Sequence, residues 1–286
     1  MSSNKVLSSD QVKSFRDNGY VFPVRVMSAE DAAGYRARLE TFERAQGSPL
    51  KGDQRTKNYL LFTWANEILH HPRILDAVED LYGPDLMVYT TTNWIKEPNS
   101  GSFVSWHQDC TYFGLEPLDN VTVWLALSRA DSESGCMRVL PGSHKSGQLP
   151  SRLEPVKNNL LSSGQVVEHQ FNENDTVEMP LEPGEMSMHH TCTIHGSPGN
   201  RSADRRIGIC MHFMPASNRP LQKLIDAGSI CSTTLVRGRR HHELFPHETP
   251  PASDADQAAR TAHAAGISNY RNMMLALGNQ TPGRFD

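Results

Sequence analysis

Paired cysteines, long apolar runs and an excess of positive charge are all missing from this 286-residue chain. Its five cysteines, Cys110, Cys136, Cys192, Cys210 and Cys231, are odd in number, widely spaced and without a C-x-x-C. That argues against a disulfide framework or a structural zinc site and for reduced thiols. No apolar stretch reaches the roughly 18 residues of a membrane-spanning helix, and Met1 to Lys5 lack the apolar core of a secretion signal. A cytoplasmic location, with no membrane partner, is the expectation. Lysine and arginine number 28 against 32 acidic residues, a net charge of -4, so no basic face is on offer to nucleic acid. Repeats and low-complexity segments are absent too. What is present, 37% hydrophobic and 21% charged residues, is the balance of an ordinary globular domain.

Two periodicities divide the chain. Up to about residue 85 the signals are helical. Ser9 to Asn18 reads as a helix stopped by Gly19, and Tyr20 to Phe22 as a short strand. Ser28 caps a second helix with Ala32, Tyr35, Leu39 and Phe42 on one face and Gly47 at its end. Thr63 to Leu69 and Pro72 to Tyr82 form two more. Ser48 to Asn58 reads as a loop with Lys51, Arg55 and Lys57 as solvated charges. From Leu86 the pattern turns β-branched and aromatic, with strands over Met87–Lys96, Val121–Leu127, Arg138–Leu140, Thr176–Glu178, Met186–Met188 and Ile207–Phe213 between Pro/Gly turns. Many short strands with such turns predict a sandwich or barrel. Ser143 to Phe171 reads as a long, polar, mobile insertion. Past residue 216, Val236 to His242 is a basic cluster, read as an exposed turn rather than an anion site, and Ser253 and Ser268 are placed to cap two short final helices. The whole chain, 1–286, reads as one domain: helical support over about 1–85, a β core over about 86–215 and a C-terminal extension over about 216–286.

The chemistry concentrates in Trp106-His107-Gln108-Asp109. On a strand, residues two apart share a face, so His107 and Asp109 would project together. An imidazole and a carboxylate need one more donor to hold a metal, and non-haem Fe(II) oxygenases use two histidines and one carboxylate on one face. With 13 histidines in the chain, such a triplet also arises by chance. A second segment adds weight: His195-Gly196-Ser197, then Arg205-Arg206 opening a strand. Arginine can grip a carboxylate through two parallel hydrogen bonds. His189 and His190 are adjacent and point to opposite faces, so at most one could reach a metal; both read as polar wall. His212 shares the face of Arg206 and is either pocket lining or a bonded core histidine.

Taken in order, Asn93-Trp94-Ile95-Lys96, Trp106-His107-Gln108-Asp109, Trp124-Leu125-Ala126-Leu127, Gly135 to His144, and His195-Gly196-Ser197 with Arg206 give the chain its likeness. It resembles the phytanoyl-CoA dioxygenase-like family of Fe(II)/2-oxoglutarate oxygenases, which includes ectoine hydroxylase and some halogenases. The resemblance implies a double-stranded β-helix, a cupin-like jelly roll, packed against the N-terminal helices. It implies Fe(II) on His107, Asp109 and His195, with O2 and 2-oxoglutarate as co-reactants and ascorbate as support. The family's 2-oxoglutarate arginine follows the distal histidine by eleven residues, which selects Arg206. Gln108 matches the residue between the two ligands. Ser197 can offer a hydroxyl and Asn93 an amide to the cosubstrate. Trp124 can pack beside it, although a strand tryptophan is often plain core. Gly208 suits close approach of a ligand, or marks a bulge. The expected activity is hydroxylation of a small polar metabolite, anionic by the nearby Arg and Lys (a carboxylate or an aminoalkyl phosphonate), with release of succinate and CO2. Desaturation or stereoinversion follows from the same start. A non-oxidative metal hydrolase or a metal/2-oxoglutarate sensor is the rival, and it leaves Arg206, Ser197 and Asn93 without a task.

Overall fold

The computed structural model describes residues 5–154, 156–161 and 164–278. The N-terminal support comprises α1 (Ser9–Asn18), β1 (Tyr20–Arg25), α2 (Ala29–Gln46), α3 (Thr63–Leu69) and α4 (Pro72–Tyr82). Then come β2 (Leu86–Lys96), β3 (Val104–His107), β4 (Leu115–Glu116), β5 (Val121–Ala126), β6 (Met137–Val139), β7 (Ser151–Leu153), β8 (Gln165–Val167), β9 (Val177–Met179), β10 (Glu185–His190), β11 (His195–Ser197) and β12 (Arg206–Pro215). β13 (Arg219–Pro220), α5 (Gln222–Asp226), β14 (Thr234–Arg237) and α6 (Gln257–Ala276) complete the described chain.

Local chemistry sets the helix ends. The Ser8 hydroxyl accepts from the Gln11 N–H, and the Gln11 amide oxygen accepts from the Ser8 N–H, a reciprocal cap on α1. Gly19 ends α1 at φ 84°, the left-handed region, and its N–H returns to the Phe15 carbonyl. A Cβ there would also stand 2.5 Å from His144. Ser28 caps α2 by accepting from the Asp31 N–H, and Gly47 closes it. Pro72 opens α4, whose Ile74, Leu75 and Val78 are buried.

Six strands in the order β1-β10-β5-β12-β2-β14 form the larger sheet, and β3-β11-β6-β9 form the facing one. Ladders pair antiparallel throughout both sheets. This is the jelly roll expected from the chain. The central strand β12 explains the layering. Ile207, Ile209, Met211 and Phe213 point one way, into the main core with Leu39, Trp64 and Ile74 of the helical layer. Arg206, Cys210 and His212 point the other way, into a cavity between the sheets.

Three readings are corrected by the structure. Lys57 is not solvated but fully buried. Its ammonium donates to Glu248 Oε1 at 2.7 Å and to the carbonyls of Tyr89 and Ser232. The described part of 143–171 is not loose: β7 and β8 form a hairpin, and Gln165 accepts from the Ser105 hydroxyl through its carbonyl. One helix, α6, replaces the two short final ones. Asp256 caps it, Ser253 bonds that cap, and Ser268 lies mid-helix. The basic cluster is the exposed turn expected, open at Gly238, Arg239 and His241, with Arg237 paired to Asp76 and Glu79 and His241 to Asp85.

Candidate metal and cosubstrate site

His107 ends β3 and His195 opens β11, and the two stand opposite each other in the ladder. Asp109 is not on the strand. It is the first residue of a 3-10 turn, Asp109–Tyr112, that swings the chain across the cavity. The side chains converge nonetheless. Asp109 Oδ1 lies 3.5 Å from His107 Nε2 and 3.7 Å from His195 Nε2, and one donor atom from each residue falls within 4.8 Å of the others. His107 Nδ1 faces the carbonyls of Ser105 and His195, and His195 Nδ1 that of Thr193. A ring nitrogen facing only acceptors carries the proton, which leaves both Nε2 lone pairs for a metal. Burial, then His107 and His189, push His195 well below its ordinary pKa, so it is neutral. Burial alone would raise Asp109, but His195, His107 and His189 hold it well below the usual carboxylate range. Two imidazoles and a carboxylate on one wall are the donor set that Fe(II) takes.

The outer carboxylate oxygen is held as well. Thr122 donates its hydroxyl to Asp109 Oδ2 at 2.6 Å, and His189 Nε2 approaches the same oxygen at 3.2 Å. Thr122 in turn faces His212 Nδ1 at 2.9 Å. Oδ1 is thereby aimed at the histidines and Oδ2 turned away. His212, left open above, lines the pocket, as does His189; His190 is corrected, since it is not pocket wall but turns away toward Asp119.

Arg206 sits at the other end of the same cavity. Its Nη1 donates to the Gly135 carbonyl at 2.8 Å, its Nε has no partner, and its guanidinium lies 5.2 Å from the Trp124 ring. Burial pushes it down to about 10, still a cation at neutral pH. No carboxylate of the described residues pairs with it, whereas Arg205 faces away into Glu43 and Glu97. Gly208 admits the Trp124 indole, since a Cβ there would stand 1.9 Å from the ring. Ser197 lines the cavity, and its hydroxyl oxygen accepts from the buried Lys96 amine, which burial and then Arg206 push down to about 5, at 2.7 Å.

Two expected cosubstrate contacts lie elsewhere. Asn93 is buried but on the opposite face of β2 from Thr92 and Trp94, so it does not line the cavity, and both its amide atoms lack partners. Gln108 spends its amide on the backbone: it donates to Gly147 and Cys192 and accepts from the Leu149 N–H. It braces the turn that carries Asp109. Sequence reasoning missed Lys96, Thr122, Tyr112 and Tyr270. Thr122 was findable, because it shares parity with Trp124 on one strand. Tyr270, on α6, offered no signal. Among the described lining residues Arg206 is the only lysine or arginine, so the cations that suggested an anionic substrate are absent from the wall.

Known proteins share this plan. The family described as Phytanoyl-CoA dioxygenase (PhyH) matches residues 15–208. Peroxisomal phytanoyl-CoA dioxygenase of Bos taurus is 28% identical over 237 residues, 75% of this chain and 70% of that one. A probable alpha-ketoglutarate-dependent hypophosphite dioxygenase of Stutzerimonas stutzeri is 26% identical over 265 residues, 83% and 88% of the two chains. The apo structure of the non-heme monooxygenase ThoJ superposes with a TM-score of 0.82 at 31% identity, covering 94% of this chain and 99% of its own. The family match spans more than half of the chain and takes in all three converging donors and Arg206; this protein belongs to the phytanoyl-CoA dioxygenase family and is a non-haem iron, 2-oxoglutarate-dependent oxygenase.

Proposed function

We propose that this enzyme hydroxylates a small molecule, with His107, Asp109 and His195 holding Fe(II) and Arg206 receiving the far carboxylate of 2-oxoglutarate. The observation that carries the reading is the pairing of two features in one cavity: three donors within 4.8 Å, and a buried guanidinium with a free Nε and no carboxylate partner among the described residues. Bound there with 2-oxoglutarate, iron supplies the oxidising chemistry that couples O2 to release of succinate and CO2. The protein's part is placement. Arg206, with Trp124 on its face and Ser197 beside it, fixes one end of the cosubstrate. Thr122 and His189 hold Asp109 with one oxygen toward the metal. Gln108 anchors the turn. Asp109 also narrows the outcome: with a full carboxylate as the third donor, iron held here would have no place for a halide in its stead, which argues for oxygenation over halogenation.

A hydrolytic zinc site would use the same three donors and leave Arg206 idle. Purified protein given Fe(II), ascorbate and 2-oxoglutarate is expected to form succinate slowly without substrate and to consume O2 in step. Succinate formation that persists without O2, or runs equally well on zinc, would falsify the assignment.

A further inference from the structure

One wall of the cavity comes from outside the family match. Tyr270 stands on α6, beyond residue 208. It lines the same cavity as His107, Asp109 and His195 and is 9% exposed. Its hydroxyl makes no hydrogen bond to any described residue and, unlike that of Tyr112, is not sealed in the packing, so it is open to a ligand in the cavity. Around it the wall is uncharged: Tyr112, Phe113 and Thr90 lie on the same cavity. Burial first, then the nearby Cys231 and Asp109, raise the Tyr270 pKa, so the phenol keeps its proton and remains a donor. The charged side chains among the described lining residues, Arg206 and Asp109, are both committed to cosubstrate and metal. A second anion brought here would be desolvated with nothing to pair it.

The helix that carries Tyr270 is fixed. Asp256 caps it by accepting from the Ala259 N–H at 2.7 Å. His263 bonds the Thr56 carbonyl at 2.9 Å, and Arg271 pairs with Asp53 at 2.6 Å. Gly266 lets the helix close on Leu60, where a Cβ would stand 2.8 Å from that side chain. Thr56 itself lines the cavity. A hydroxyl on so braced an element is positioned to read a ligand rather than adapt to one.

We infer that Tyr270 is a substrate-specificity residue, and that the substrate it reads is an uncharged molecule with a ring or branched carbon frame bearing a hydroxyl or carbonyl oxygen. The frame lies against Tyr112 and Phe113, and the oxygen accepts from the Tyr270 hydroxyl. This rests on the oxygenase reading above and names its substrate class.

The test is substrate-stimulated succinate release from the full-length iron-loaded enzyme. Two size-matched panels are compared: cyclic alcohols and ketones against carboxylates and phosphonates. Stimulation by members of the neutral panel is expected. For the best of them Tyr270→Phe should raise KM about tenfold, the worth of one hydrogen bond, with a much smaller change in kcat. Stimulation confined to the anions overturns the inference. So does a neutral panel with no active member, or a Tyr270→Phe KM within about twofold of the native one. Substrate-free succinate formation in the same assay reports on the iron and 2-oxoglutarate reading separately. Its presence alongside any of these results rejects the substrate class alone; its absence rejects the oxygenase assignment.

Discussion

Arg205 and Arg206 are neighbours in sequence and face opposite worlds. Arg205 is bound by Glu43 and Glu97 on the outside of the sheet, and Arg206 is buried against Trp124 and Gly135 inside it. Arg206→Lys is therefore expected to raise the 2-oxoglutarate KM by about tenfold to a hundredfold, because a lysine cannot reproduce a bidentate pair. Arg205→Lys should leave that constant nearly unchanged; comparable effects at both positions would show that Arg206 does not hold the cosubstrate. Thr122 supports a second expectation. Its hydroxyl is the shortest contact to the carboxylate oxygen turned away from the histidines. Thr122→Val keeps the shape and removes the donor. Outer partners of this kind are worth about 10–100-fold in metal affinity, and titration with Co(II), followed by its visible absorption, reads that loss without any turnover. An unchanged Co(II) affinity would mean that Asp109 is held by His189 alone.

Among the elements, those with local signals were legible. The cap at Ser28, the stops at Gly19 and Gly47 and the proline opening α4 are decisions the chain makes within one turn of itself. So is the alternation that puts Arg206 and His212 on one side of β12. The misreadings have different origins. Lys57 looked solvated because nothing near it in sequence announces Glu248, 191 residues on. Asn93 was assigned to the cosubstrate although Thr92 and Trp94, one step either side, hold the inner face. His107 and Asp109 do converge, but through a 3-10 turn rather than a strand face. The Lys57–Glu248 pair yields its own expectation. Glu248 is held below its ordinary 4.5 by Lys57, against the effect of burial. Burial on its own would lower Lys57, yet Cys231 and Glu248 carry it above its ordinary 10.5. A depressed carboxylate stabilises above its unfolded value and loses that as pH falls; a raised ammonium stabilises below its unfolded value and loses that as pH rises. The pair should thus stabilise evenly from about pH 5 to about pH 10. Glu248→Gln strands a buried charge and is expected to cost about 3–5 kcal/mol in urea unfolding at neutral pH, with the gap to the native protein closing below about pH 4.5. A gap that stays constant into acid would show that charge is not what the pair contributes.

At the scale of the whole molecule, two layers divide the labour. The helical layer and the outer face of the larger sheet share one apolar core, while the inner faces of both sheets enclose the site. All five cysteines are free and buried within this arrangement, so iodoacetamide is expected to label none of them in the native protein and all five once it is unfolded, as read by intact mass. Labelling of the folded protein at even one equivalent would show that the layers open far more readily than this packing allows.

The alternation along β12 has a consequence for how such a site can be lost. Arg206, Gly208, Cys210 and His212 serve the cavity, and Ile207, Ile209, Met211 and Phe213 serve the core. The two sets are interleaved on one thread and told apart only by odd and even. Deleting a single residue ahead of Arg206 while the ladders with β2 and β5 keep their register would exchange every member of one set for a member of the other. The cavity would be lined with isoleucine and phenylalanine, and the core would have to swallow an arginine and a histidine. Substitutions can wear this site away one contact at a time; a one-residue slip would turn it inside out.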